Sequence, residues 1–346
     1  MRWLVLTDDA LPSPGGVAVW TASVVRGLCE AGDEVVVVAR ERGGLEPGVR
    51  GAWGPRFRRW GGLWAWARAW DVSCDRVLAT TWRMAWPAVA RGVPVDVVFH
   101  GSDLTNPSAE MMPVVQRARC WAVSRYLADC AAKRGLAAGV LPAPVDPVPG
   151  GDPNGPWLLA GRAVPLKGGD AFVAMCAAAG QTGWVVGDGP ALAGWEAQAR
   201  AMGADVRFFG HRRPSELAAL RVSCSAAFLL ARQGPHGVGT EGLGLALVEG
   251  AAAGLATVGS AVGGIPEAVG PGLVLASPED AEASVRAFRE WWHRGRGGEA
   301  RTWAAGQHGR LRTVAWLRTD HGTERNPDAA PGRAVYRGPD EARREV

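Results

Sequence analysis

The chain has 346 residues, of which 47% are hydrophobic and 21% charged, and it carries a formal net charge of +4. That length suits two domains with full cores, and so small a positive charge, with no long basic run, speaks against a nucleic-acid partner while suiting an anionic substrate. There is no Cys-x-x-Cys pair, no apolar run of membrane-spanning length, and an N-terminus that turns acidic at Asp8; these argue against a zinc ribbon, a transmembrane helix and a secretory leader, so the expected location is the cytoplasm.

Residues 3–6 read as a short buried strand, and Gly15 and Gly16 then open a helix that runs to about residue 31 and ends at Gly32. Residues 34–39 are Val-rich and apolar on both faces, as a strand inside a parallel sheet requires. Further strands are predicted at 76–80, 95–99 and 120–123, the last followed by a helix from Ser124 to about Arg134. Proline and glycine are so dense over 141–156 that this stretch reads as a linker. The alternation then restarts. Strands at 157–160, 184–186, 206–209, 226–230 and 256–259 alternate with helices at 169–179, 190–202 and 214–220 and with one that carries Glu249. Helical propensity returns from 281 to about 316, and 321–346 read as an irregular or disordered tail. The expected architecture is α/β, with two Rossmann-like doubly wound parallel-sheet domains, 1–150 and 151–320, and an interdomain cleft.

Glu241 and Glu249 carry most of the chemical signal. They bracket Gly242-Leu243-Gly244-Leu-Ala-Leu-Val, and Gly263-Gly264-Ile265-Pro266-Glu267 follows. A carboxylate in a glycine-rich loop can meet a hydroxyl-rich ligand. The second, eight residues on, lies about one and a half turns into the next helix. The small residues between them leave backbone N–H groups bare at a helix N-terminus, which is a ready anion site. Taken alone, the spacing favours a surface loop and a capped core helix; the upstream segment Gly161-Arg162-Ala-Val-Pro-Leu-Lys167-Gly168 shifts that balance. Of 38 basic residues only Lys133 and Lys167 are lysines, beside 48 glycines and 17 tryptophans. Such a skew points to a GC-rich genome in which arginine replaces lysine wherever chemistry allows. A lysine kept under that pressure suits a need for a compact ammonium rather than a planar fork. Lys167 is therefore expected to contact phosphate oxygens with Arg162 beside it; the alternative is a solvated loop lysine.

These motifs are joined by Pro14-Gly15-Gly16-Val17, His100-Gly101-Ser102-Asp103, Ala122-Val123-Ser124-Arg125-Tyr126, Gly187-Asp188-Gly189-Pro190 and Phe209-Gly210. In order and spacing the set resembles the glycosyl transferases group 1 family, which are retaining nucleotide-sugar glycosyltransferases of the GT-B fold. The resemblance covers about residues 1–275. It implies transfer of a hexosyl group from a nucleotide-diphosphate sugar, UDP- or GDP-linked, to a hydroxyl of a small-molecule or saccharide acceptor. It further implies roles for single residues. Gly15 and Gly16 would end the first strand and let bare backbone approach the donor diphosphate, and Arg162 and Lys167 would neutralise that diphosphate as it leaves. Glu241 would hold hydroxyls of the donor sugar, and Glu249 would accept from the ribose hydroxyls. Gly242, Leu243 and Gly244 would offer backbone N–H groups, Gly210 and His211 would read the base, and His100 would contact the sugar near the reacting carbon. From the residues alone, His100 also fits a buried histidine bonded to backbone, His211 a solvated loop residue and Asp188 a turn. Gly250 stands where the family usually has alanine, which lowers helix propensity beside Glu249.

Transfer with retention in this family is thought to need no firmly placed protein nucleophile, so positioning and stabilisation of the departing diphosphate carry the chemistry. No Asp-x-Asp occurs in the chain, and neither a metal nor another cofactor is expected. The first domain is expected to bind the acceptor, with Trp82 and Arg83 at the end of strand 76–80, together with Asp103, as candidate contacts. Trp64, Trp66 and Trp70, interleaved with Arg56, Arg58, Arg59 and Arg68, fit core packing; an amphipathic membrane-facing surface is the alternative. A dehydrogenase would want Gly-x-Gly-x-x-Gly after the first strand, which this chain lacks. A sugar phosphorylase and a non-catalytic nucleotide-sugar-binding partner protein stand as the alternative functions.

Overall fold

The computed structural model describes residues 1–11, 15–39, 50–53, 72–105, 109–145, 148, 150–234, 240–293, 299–319 and 335–336. The chain forms two compact units. One comprises Met1–Val145 and His308–Asp328; the other comprises Asp146–Gln307 and Ala329–Val346. The basic, tryptophan-bearing stretch at 56–70 and Pro14 of the first glycine motif lie outside the described residues.

The first unit is built on β1 (Arg2–Thr7), β2 (Glu34–Ala39), β3 (Arg50–Trp53), β4 (Arg76–Ala79), β5 (Val95–Phe99), β6 (Arg119–Ala122) and β7 (Ala138–Val140). Their order across the sheet is β3-β2-β1-β4-β5-β6-β7, and every pairing is parallel. Parallel strands are covered on both faces, and the burial shows it: β1 buries every residue after Arg2, and β5 is buried throughout. Strand order reverses between β1 and β4, and at such a switch point loops open at the carboxyl edge to receive ligands. The helix Gly16–Glu30 buries Trp20, Val24, Val25 and Leu28.

The sequence reading ends the second domain near residue 320. In the structure the helix Arg310–Arg318 packs on Gly16–Glu30 in the first unit. Gly27 lets it come close, since a Cβ there would lie 2.4 Å from Arg310 Cγ. Arg310 forks onto Glu30 at 2.8 and 3.0 Å, and Arg318 reaches the buried Asp33 at 2.6 Å. Ion pairs between residues so far apart in one chain leave no local signature.

The entry into this helix carries a pH-sensitive contact. The Ala143 backbone N–H donates to His308 Nδ1 at 3.0 Å, so that nitrogen must be unprotonated. Burial, and secondarily the Arg312 charge, lower the His308 pKa from 6.5 to about 4. An unfolded histidine titrates near 6.5. The fold thus favours the neutral ring, and the stability this supplies is lost as pH falls from about 6.5 towards 4. His308→Asn keeps an acceptor and removes the titration. Between pH 7 and 4 the wild type should lose on the order of 2–3 kcal/mol more than the variant, read from urea midpoints. Parallel pH profiles would show that His308 does not titrate with folding.

The second unit repeats the plan with β8 (Trp157–Ala160), β9 (Gly183–Val186), β10 (Val206–Phe208), β11 (Ala226–Leu229), β12 (Ala256–Ser260), β13 (Leu273–Leu275) and β14 (Val335–Tyr336). The order is β10-β9-β8-β11-β12-β13-β14, again parallel throughout. Its core holds an aromatic cluster in which Trp157 meets Phe228 at 4.8 Å and Phe288 at 5.1 Å between ring centroids, with Phe172 5.5 Å from Phe228. The linker is stitched to this unit, as Gly151 N–H donates to Ala253 O at 2.9 Å. The tail expected to be irregular holds β14, whose Val-Tyr pair suits a strand and lies parallel to β13; the rest of that stretch is outside the described residues. Among the described residues no helix is long and apolar enough to cross a membrane, and all six cysteines are free.

Candidate donor-binding site

The site-bearing loops of the second unit lie at the carboxyl ends of β8, β9, β10 and β11, the edge where open α/β sheets take ligands. Glycine lets them meet backbone to backbone. A Cβ on Gly187 would lie 1.8 Å from Gly161 O, and Gly187 N–H donates to Gly210 O at 2.9 Å. Asp188 closes its own turn, Oδ1 accepting from Gly189 N–H at 2.7 Å, which is the turn role expected for it.

Lys167 ends a short turn, Pro165–Lys167, that follows β8. Gly168 then adopts φ 70° and ψ 32° and starts the helix Gly169–Ala179. The turn is pinned against the end of β11: a Cβ on Gly168 would lie 1.9 Å from Leu230 O, and Arg232 N–H donates to Leu166 O at 2.8 Å. The Arg232 guanidinium also forks onto Asp170 at 2.8 and 2.9 Å. So anchored, the Lys167 ammonium forms an ion pair with Glu241 Oε2, both side chains partly exposed. Arg162 is exposed on the same loop.

The Glu241 loop rests on the Gly263-Gly264 pair. Gly264 N–H donates to Glu241 O at 3.0 Å, and Cβ atoms on Gly263 and Gly264 would lie 2.2 Å from Glu241 O and 2.1 Å from Gly242 O. No larger residue fits beneath this loop. Leu243 is buried, and Gly244, at φ 98°, begins the helix Leu245–Ala252 without any side-chain cap or first-turn acid. The N-cap position therefore supplies no side-chain acceptor to the first N–H groups of that helix.

Glu249 sits on this helix and pairs with Arg221, at the end of the helix Pro214–Arg221. Arg221 is not among the residues that the sequence singles out; it enters through this pairing alone. Gly210 adopts φ 63°, and His211 beside it is exposed, in the loop that leads to this same helix. Gly250 has a packing cause: a Cβ there would stand 2.6 Å from Ala227 Cβ on β11. Gly250→Ala gains about 1 kcal/mol of helix propensity but overpacks a strand contact with no flexible end, which costs about 1–3 kcal/mol. The variant should unfold at lower denaturant than wild type; an unchanged or raised midpoint would discard the packing explanation.

In the first unit, Gly15 adopts φ 147° and caps the helix that Gly16 begins; β1 has already ended at Thr7, so the pair opens the helix rather than ending the strand. His100 follows β5. Its ring meets Trp20 edge-on, 4.9 Å between centroids, and its buried Nε2 has no hydrogen-bond partner among the described residues. Burial lowers its pKa to about 4, so it is a neutral imidazole at pH 7. Asp103 is buried nearby. Burial raises its carboxyl to about 7, with Arg83 and the His100 backbone pulling it down and Asp8 pushing it up. The structure thus brings Arg83, Asp8 and the His100 backbone within electrostatic reach of Asp103. Trp82 is 4% exposed, with the Arg83 guanidinium 4.7 Å from its ring centroid. Its helix, Trp82–Ala90, turns it inward with Met84, Ala85 and Ala88, and the aromatic ring left exposed is Trp86.

Two Rossmann-like units, one of which joins a lysine, two glutamates and an uncapped helix N-terminus at its carboxyl edge, define the class: a GT-B glycosyltransferase that takes its sugar from a nucleotide sugar. Comparison with known proteins agrees. Residues 158–304 match the family described as glycosyl transferases group 1, and residues 14–148 match glycosyltransferase family 4. The chain belongs to the group 1 glycosyltransferases. No curated protein matches it by sequence. Among solved structures it is similar to HepE of Anabaena in complex with UDP and glucose, at 16% identity and a TM-score of 0.73 over 92% of this chain and 98% of that one. It is also similar to AviGT4, a glycosyltransferase involved in avilamycin A biosynthesis, at 18% identity and a TM-score of 0.67 over 91% and 96%. A third is the lipopolysaccharide outer core galactosyltransferase WaaB, at 16% identity and a TM-score of 0.67 over 92% and 98%.

Proposed function

We propose that this protein moves a hexosyl group, with retention of anomeric configuration, from a UDP- or GDP-sugar to a hydroxyl of a small-molecule or saccharide acceptor. The observation that carries the reading is the Lys167–Glu241 pair. A cation for the diphosphate and a carboxylate for the sugar hydroxyls have to stand side by side, because the two parts of the donor are joined by one glycosidic oxygen. Lys167 and Arg162, with the helix N-terminus after Gly244, stabilise the charge that grows on the departing diphosphate. Glu241 holds the sugar, Glu249 accepts from the ribose, and Gly210 with His211 lies against the base. In the first unit His100 meets the sugar as a neutral hydrogen-bonding group, and Asp103 with Arg83 meets the acceptor.

In this reading the chain's own cations do what a divalent ion does elsewhere, so no metal is required. Turnover should persist in EDTA; loss of activity restored by Mn²⁺ or Mg²⁺ would overturn that part. The test of the whole is thermal shift against UDP-, GDP-, dTDP- and ADP-sugars without metal. A ligand that binds only the folded state raises the melting temperature by mass action. A shift with one base, followed by a product that keeps the donor's anomeric configuration by NMR, is the expected result. No shift with any of the four, or turnover only with inorganic phosphate, would move the assignment to a phosphorylase.

A further inference from the structure

Glu249 does not stand alone. Its Oε2 is taken by Arg221, whose side chain is only 9% exposed while that of Glu249 is 20% exposed. The two come from separate helices, Pro214–Arg221 and Leu245–Ala252, 28 residues apart in sequence. Arg221 Nε is buried and has no hydrogen-bond partner among the described residues, so the guanidinium spends its contact on Glu249 through one amino group. A glutamate side chain has several rotamers, and holding it in one costs conformational entropy. Where a buried cation fixes one carboxylate oxygen before the ligand arrives, that entropy is lost during folding rather than during binding.

We propose that Arg221 is a positioning residue for donor binding: it sets the Glu249 carboxylate so that the free oxygen accepts from the vicinal ribose hydroxyls, and it thereby controls selection of ribonucleotides over nucleotides that lack those hydroxyls. The inference rests on the donor reading above, in which Glu249 meets the ribose. Arg221 acts through Glu249 and touches no reacting atom. The helix that carries it follows the loop of Gly210 and His211, so the segment assigned to the base also delivers the group that orients the ribose acceptor.

The test is a double-mutant cycle with UDP, GDP and their 2′,3′-dideoxy analogues, binding measured by calorimetry on the full chain. A hydrogen bond to a charged group is worth roughly tenfold or more in affinity, so wild type should prefer the ribonucleotide of its own base by about tenfold. Arg221→Gln should cut that preference to within about threefold, raise the donor KM and leave kcat little changed. Arg221→Lys, which retains the charge, should recover part of the preference. In a Glu249→Gln background the Arg221→Gln change should have no further effect on the ratio. A merely structural arginine would weaken ribo- and dideoxynucleotides alike and leave their ratio intact. An unchanged ratio in Arg221→Gln therefore overturns the positioning role while the donor site stands. Failure of every nucleotide to bind wild type overturns the donor reading, and this inference with it.

Discussion

Lys167→Ala should lower kcat/KM by roughly 10²–10³-fold, the usual cost of deleting one fixed charge-stabilising group from an active site. Two effects add. The substitution removes the ammonium that faces the departing diphosphate. It also strips Glu241 of its partner, so a carboxylate that was paired now stands beside an anionic ligand. The second effect predicts an order among variants. Lys167→Ala with Glu241→Gln should bind the free nucleoside diphosphate more tightly than Lys167→Ala alone, although it turns over no faster, because the double variant relieves the repulsion and loses the sugar contact. Lys167→Arg should recover only part of the activity, since the anchored turn presents a point charge and a planar fork does not fit the same place. The fold should be unaffected: the lysine is partly exposed, and the turn is held by Gly168, Leu166 and Arg232 instead. A loss of less than about fivefold in kcat/KM, with melting temperature unchanged, would remove Lys167 from the site.

How far such residues could be read in advance depended on what fixes them. The loops at the carboxyl edge were legible because each demands particular residues locally. Gly263 and Gly264 are glycines because the Glu241 loop lies on top of them, and Gly168 because Leu230 O leaves no space for a Cβ. Strand-helix alternation was legible because parallel strands need apolar residues on both faces. Pairs between distant elements were not. Nothing near Arg221 announces Glu249, since the contact depends on how two helices are rotated on the sheet. The inward turn of Trp82 is of the same kind: the helix was hidden by Pro87 inside it, and without a helix there was no face to assign. Helix Ile265–Val269 and strand Leu273–Leu275 were too short for periodicity to show. The helix Arg310–Arg318 shows no clear apolar stripe in its sequence, and its place in the first unit is decided by Glu30, Asp33 and Arg119, which lie far from it along the chain.

Asp96 should prove the most sensitive stability position in that first unit. It lies within β5, fully buried, and accepts from three side chains. Arg76 Nε on β4 reaches it at 2.6 Å, Trp121 Nε1 on β6 at 2.7 Å, and Arg119, its register partner on β6, completes the set. Arg119 then donates to Leu317 O at 2.5 Å and to Thr319 O, which ties the end of the helix Arg310–Arg318 to the sheet. One carboxylate thus offsets two largely buried guanidiniums and orients one of them towards the helix. Its removal strands both charges, and breaking a buried pair costs about 3–5 kcal/mol because the remaining charge is left uncompensated. Asp96→Asn keeps the shape and loses the charge, so it should cost close to the full amount. Arg76→Met should cost less, because Asp96 retains Arg119 and Trp121. Urea unfolding should show the drop in the first unit, with the nucleotide-induced shift of the second unit preserved, since the side-chain partners of Asp96, Arg76, Arg119 and Trp121, all belong to the first unit. A drop below about 1 kcal/mol for Asp96→Asn would mean that the cluster is solvated enough to screen its own charges.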